Sequence, residues 1–184
     1  FQQTTNGSPA LGSFIWETKC NHVRKTPYLI SVKSVDSGPY KLADYQSTRI
    51  RVLGPKPKNV TSTVQSSSVE LSWSPSECPQ VLGYTIYRKL GVSSWEPSRC
   101  ETGVPEGIGF ELVATQVGIN DTSFLDDNEG FGLVSGESYC YRVVAFYPDG
   151  SQSIASDEEC VGLLQKDLPV ITTVSVEVTA ESNG

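Results

Sequence analysis

Methionine is absent from this 184-residue chain, and histidine occurs once, as His22. A single imidazole, with no serine or cysteine in a nucleophile-elbow setting, leaves no catalytic triad to assemble. Cys-x-x-Cys pairs are also missing, and His22 stands too close to Cys20 to be its usual partner ligand, so zinc-site spacing is absent. Basic residues number 14 against 21 acidic ones, for a formal net charge of −7. The groups His22–Lys25 and Lys56–Lys58 are too short to track a phosphate backbone, which argues against a nucleic-acid partner. No apolar run approaches the ~18 residues of a membrane span, so no membrane insertion is expected. Neither a signal peptide nor a lipidation motif is legible. Gly103–Gly109 lacks the lysine and the strand–helix context of a phosphate loop. The expectation is therefore a chain that is not an enzyme, with no catalytic residue and no cofactor.

What is present is period-two alternation in short runs bounded by Gly, Pro, Asn, Asp and Ser, the signature of an all-β sandwich. Pro55-Lys56-Pro57 reads as an extended linker, and a weaker boundary follows at Gln165–Pro169. These divide the chain into 1–54, 55–165 and 166–184. In the central block, strands are expected at Asn59–Gln65, Ser68–Ser74, Leu82–Lys89, Phe110–Thr115, Thr122–Asp126, Ser138–Tyr147 and Gln152–Leu163. Val69, Leu71 and Trp73 share one face, and Tyr84 and Ile86 point inward. In the strongest run, Tyr139, Tyr141, Val143 and Ala145 alternate with Cys140, Arg142, Val144 and Phe146. Pro148-Asp149-Gly150-Ser151 supplies a turn, because Pro presets φ and Gly accepts φ > 0. The leading segment reads as strands at Phe14–Lys19, Pro27–Val35 and Tyr45–Leu53, and the tail as one strand at Val170–Thr179.

Val69-x-Leu71-x-Trp73, Gly83-Tyr84-x-Ile86-Tyr87 and the run Leu133–Ala145 resemble, in this order, three segments of a fibronectin type III domain. The resemblance covers roughly residues 56–165 and implies a seven-stranded sandwich. It also implies that Tyr139 is the tyrosine-corner residue, bonded back to the preceding turn. The chain departs from the family pattern in its cysteines and in a long insertion, Gly91–Gly109. Pro27-Tyr28-x-Ile30-x-Val32-x-Ser34-x-Asp36 resembles a strand of PKD-like or cadherin-like modules. On that resemblance residues 1–54 are the C-terminal part of a PKD/Ig-like β module, and 166–184 hold a linker and the first strand of another. Both ends then fall inside domains.

Cys140 and Cys160 lie ten residues either side of Gly150, so an unbulged hairpin sets them opposite each other, at a spacing near the lower end of disulfide geometry. Cys78 and Cys100 both fall in loops flanking the third strand and are expected to pair at an edge; burial of these four as free thiols is the alternative. Cys20 is left over, its partner missing or upstream. Such pairing points to an oxidising compartment.

Trp95 has no core position, and with Tyr87 and Phe146 it offers a candidate platform for a sugar ring or a protein partner. Burial of Trp95 under the insertion is the competing reading. Asp121, Asp126, Asp127 and Glu129 form an acidic run of the kind hard cations favour, but the spacing is not that of an EF-hand loop, and a solvated loop before the tyrosine corner is the favoured reading over a Ca²⁺ site. Asn6-Gly7-Ser8, Asn59-Val60-Thr61 and Asn120-Asp121-Thr122 match the glycosylation sequon. The whole arrangement resembles a segment of large cell-surface proteins of gliding Bacteroidetes. That resemblance implies a secreted, extracellular stalk or adhesion module whose partners are neighbouring β modules and an extracellular protein or glycan. An accessory carbohydrate-binding or spacer module of a secreted polysaccharide-degrading enzyme is the alternative, and a eukaryotic receptor ectodomain is a third.

Overall fold

The computed structural model of the protein describes Gln2–Gln3 and residues 12–164. Strands β1 (Gln2–Gln3) and β2 (Gly12–Ser13) make a two-residue bridge. β3 (Tyr28–Val35) and β4 (Ala43–Ile50) form an antiparallel ribbon, in register from Tyr28↔Ile50 to Val35↔Ala43. Seven strands follow: β5 (Thr61–Gln65), β6 (Ser68–Ser72), β7 (Gly83–Leu90), β8 (Glu111–Val117), β9 (Ser123–Asp126), β10 (Ser138–Phe146) and β11 (Glu159–Gly162). They form two sheets, ordered β5-β6-β9 and β11-β10-β7-β8, with antiparallel neighbours throughout. The expected seven-stranded all-β sandwich is thus present, its strands divided three and four between the sheets. No helix among the described residues is long and apolar enough to cross a membrane.

Alternation explains the core. Val69, Leu71 and Trp73 from the first sheet meet Tyr84, Ile86, Tyr139, Tyr141, Val143 and Ala145 from the second. Trp73 meets the Tyr84 ring edge-on at 5.4 Å, a favoured aromatic arrangement. The Tyr84 hydroxyl accepts the Ser76 N–H and donates to the Ile119 carbonyl, tying two loops to the core. At the other end of the sandwich the Tyr139 hydroxyl accepts the Val134 N–H at 2.9 Å, fixing the turn that precedes its strand.

The hairpin after β10 departs from a continuous last strand. Tyr147 N–H bonds Ser151 O around the turn, and Phe146 then faces Gln152. Regular pairing resumes only at Glu159–Gly162. Between them two buried serines take the place of ladder carbonyls: Ser153 Oγ accepts the Ala145 N–H at 2.9 Å, and Ser156 Oγ the Val143 N–H at 3.0 Å. Each serine also returns its own N–H to the facing carbonyl of Ala145 or Val143. The returning arm therefore bulges without stranding a buried donor.

One further expectation is corrected. Phe14–Lys19 is not a strand; it leads into a 3₁₀ turn at Cys20–His22, because Trp16 turns onto His22 and Tyr28 (centroids 4.9 and 4.7 Å) instead of joining a ladder. The leading segment accordingly supplies two long strands, and among the described strands they touch only each other. The expected strand at Val170–Thr179 lies outside the described residues.

The sandwich has two distinct ends. At the amino pole, Gly54 bridges Ser153, and Leu82 N–H bonds Phe146 O beside the Tyr147–Gly150 turn. At the carboxyl pole, Leu163 N–H bonds Glu137 O and Gly91 N–H bonds Ser138 O. The nine residues of β10 run between the poles, a span of about 30 Å. Gly54 itself is obligatory, since a Cβ there would lie 2.3 Å from the Tyr147 hydroxyl.

Candidate interaction surface

The outward face of β10 carries a charge where solvent would be expected, yet Arg142 is fully buried. The insertion 91–109 closes over it. One terminal nitrogen of Arg142 donates to the Ser156 carbonyl at 2.8 Å. The other reaches the Trp95 carbonyl, Glu96 Oε1 and Glu158 Oε2 at 2.9, 3.1 and 3.1 Å. The guanidinium also lies 5.0 Å from the Trp95 ring, a cation–π contact. Glu158 then accepts the Ser93 N–H at 2.8 Å, so one buried ion pair staples the insertion to the returning arm of the hairpin. Further along, Lys89 Nζ donates to the Ile108 carbonyl, and Gly103 N–H joins Ser153 O.

This geometry dismantles the expected three-residue platform. Trp95 is half-buried against Arg142 and meets Phe110 at 6.3 Å. Tyr87 faces Arg142 across the ladder, whereas Phe146 pairs with Gly83 four residues further along β10, about 13 Å away. Trp95 and Tyr87 therefore flank the same arginine, and Phe146 belongs elsewhere. Arg142 itself is the residue that sequence reasoning passed over. Its signal was the unbroken apolar run Val143-Val144-Ala145-Phe146, which marks a strand covered on both faces.

The acidic run does not converge on a cation. Asp126 is buried, and its carboxylate is consumed by Arg88 (2.9 and 3.1 Å), by the Tyr141 hydroxyl (2.8 Å) and by the Asn128 N–H (3.2 Å). Burial, reinforced by the adjacent carboxylate, pushes the Tyr141 phenol far above its usual range. Asp127 and Glu129 are exposed at the rim of a 400 Å³ groove between β8 and β9, and Asp121 sits in the earlier turn with Gly118. Among the described residues the cluster of metal-ligating types is Cys140, Glu158 and Cys160, whose two sulfurs are bonded to each other.

The cysteine pattern is partly redrawn. Cys140 faces Cys160 in the ladder and is bonded to it. Cys78 pairs with Cys20, not with Cys100, which is free and exposed. The reason is topological. Cys78 lies in the β6–β7 loop at the amino pole, where the leading segment lands, while Cys100 is carried off by the insertion. Around this bridge, Cys20 and Val23 pack against the core, and Lys25 N–H donates to Asp149 at 2.7 Å. Hydrogen bonds from the Ser151 hydroxyl and from Lys25 N–H hold the Asp149 carboxyl down at about 2. A small cluster braces the joint: Arg24 stacks 3.3 Å above the Tyr28 ring, and the Tyr28 hydroxyl donates to the His22 carbonyl.

No protein-family model matches the chain, and no curated protein does. Similar solved structures include a Fn3-like protein from Clostridium thermocellum, at 19% identity over 65% of this chain and 100% of that one, TM-score 0.42. The third fibronectin III domain of human KIAA0343 protein is 23% identical over 64% of this chain and 89% of its own, TM-score 0.44. The twitchin kinase region of C. elegans is 18% identical with TM-score 0.46; the match covers 66% of this chain but only 18% of that one.

Proposed function

We propose that this chain is a non-catalytic connecting module of an extracellular multi-module protein, which holds its neighbours in line through a covalently locked joint. The observation that carries this reading is the Cys20–Cys78 disulfide, which spans the boundary between the leading segment and the sandwich. The Lys25–Asp149 bond supports it from a second loop. Two disulfides suit an oxidising compartment. Entry at one pole and exit at the other suit a rod in which each module passes the chain onward. In a cell-surface protein such a module acts as a stalk, its partners being the β modules before and after it.

Small-angle X-ray scattering on the oxidised chain tests this. The expected profile is that of an elongated particle, with a maximum dimension well above the ~30 Å of the sandwich alone. The Cys20→Ser/Cys78→Ser variant is expected to broaden the distance distribution, as the ribbon gains freedom. A profile showing the ribbon folded back on the sandwich, or one unchanged by the substitutions, overturns the reading.

A further inference from the structure

We infer that the flank of the sandwich between β8 and β9 is a docking site for an extended, basic segment of a partner protein, which adds to β8 as a further strand. The two flanks are unlike. On one, Glu159 reaches across to β5, accepting the Ser62 N–H at 3.1 Å and the Ser62 hydroxyl at 2.7 Å. On the other, β8 and β9 are the last strands of their sheets, and the groove lies open between them. Register shows which backbone groups are left over there. Val143 and Ala145 spend theirs on the returning arm, so Val144 and Phe146 turn to β7, against Thr85 and Gly83. Tyr84 and Ile86 are then left for β8, against Gln116 and Ala114. In the regular stretch Ala114–Val117, Thr115 and Val117 therefore point their N–H and C=O groups away from the sheet, with no strand beyond them among the described residues. Such an edge is a template for an extended peptide: backbone bonds supply the affinity, and the adjoining pocket the selectivity. β9 offers less, because the carbonyl that follows it, that of Asp127, is already taken by the Gly132 N–H.

The chemistry of the occupant follows from the groove. Val113 and Phe124 pack against the core at its floor, and Leu112 and Leu125 line it, 56% and 47% exposed. Glu111, Asp127 and Glu129 line it as well; all three are exposed, and none is in an ion pair among the described residues. Arg88, the cation in the groove, is already spent on Asp126 and Asn128. Unpaired carboxylates beside apolar side chains suit a strand in which Lys or Arg stands next to Val, Ile or Leu. A second copy is the poorer occupant, since edge to edge it brings together two acid-lined flanks of a chain whose net charge is −7.

The test uses the full oxidised chain and a short labelled peptide in which Lys and Val alternate, read by fluorescence anisotropy. Saturable binding is expected, weakened about tenfold when Glu111→Gln, Asp127→Asn and Glu129→Gln are combined. The same peptide N-methylated throughout keeps its charges but loses every backbone donor, and is expected not to bind. Residue-resolved amide exchange is expected to show new protection at Thr115 and Val117 when the peptide is bound, with Gln116, already in the ladder, little changed. Thr115→Pro removes an outward donor without touching the β7 ladder, and is expected to abolish binding. A peptide that fails to bind overturns the inference. So does equal binding of the N-methylated form, which is adhesion by charge alone, or protection that appears elsewhere. A concentration-dependent dimer that Thr115→Pro abolishes overturns it too, since a second copy then holds the edge. If Thr115→Pro fails to fold, the N-methylated peptide still decides, because it leaves the protein unaltered.

Discussion

Arg142 and Trp95 stand 47 residues apart in sequence, yet the guanidinium lies 5.0 Å from the indole ring and donates to that residue's own carbonyl at 2.9 Å. The insertion is therefore held as a lid by one buried charge. Removing it leaves Glu158 buried without its partner, which costs about 3–5 kcal/mol. Arg142→Ala is expected to lose that much in urea denaturation and to open residues 91–109 to exchange. Arg142→Lys is expected to recover little, because a single ammonium cannot serve acceptors on both sides of the fork.

The disulfide pattern gives a direct chemical count. Under non-reducing conditions one thiol per chain is expected to react with a maleimide, and peptide mapping is expected to place the label on Cys100. Label on Cys20 would refute the joint. Losing the Cys20–Cys78 bridge is expected to cost about 4 kcal/mol for its loop, and Cys140–Cys160 about 3 kcal/mol for its shorter one, on the chain-entropy model.

Acid acts on the same joint. The Asp149 carboxyl is depressed in the folded chain, so its contribution is full above the usual carboxylate range and disappears as pH falls through about 2. Wild type is expected to exceed Asp149→Asn in stability near pH 5, with the difference vanishing near pH 2. As the group is on the surface, the effect is modest. Thermal melts of both proteins across that window check it.

Ser153 and Ser156 each shield a buried amide. Substituting either by Ala leaves the Ala145 or Val143 N–H without an acceptor, at a cost of about 1–3 kcal/mol each. Thr at the same places keeps the hydroxyl and is expected to lose less. Calorimetric Tm values for the four variants decide this.

Asp126 is a structural anion. Asp126→Ala is expected to destabilise by about 3–5 kcal/mol through the abandoned Arg88 and Tyr141. Millimolar Ca²⁺ is expected to leave the wild-type Tm unchanged, since that carboxylate has no lone pair to spare.

Strand positions in the sandwich were readable because alternation over Val69–Trp73 and Tyr139–Ala145 is a local consequence of burial on one face. The Cys140–Cys160 pairing was reached by a count that hides two departures. The turn is tighter by one position, with Tyr147 bonded to Ser151, and the bulges at Ser153 and Ser156 restore the register. Local counting cannot see either change. Nor can it see Cys20 reaching Cys78, or Arg142 acquiring a roof, since both depend on where a distant segment lands.

The two bridges also decide how the chain would bear a pull. Tension arriving ahead of Cys20 crosses directly to Cys78, so the ribbon, β5 and β6 stay slack. On the far side it passes from Cys140 to Cys160 and spares most of β10 with its returning arm. Only the stretch from Cys78 to Cys140, holding β7, β8 and β9, can be drawn out, and its length limits the give to about 200 Å. The two closed loops would carry no load, and the slack is fixed by sulfur.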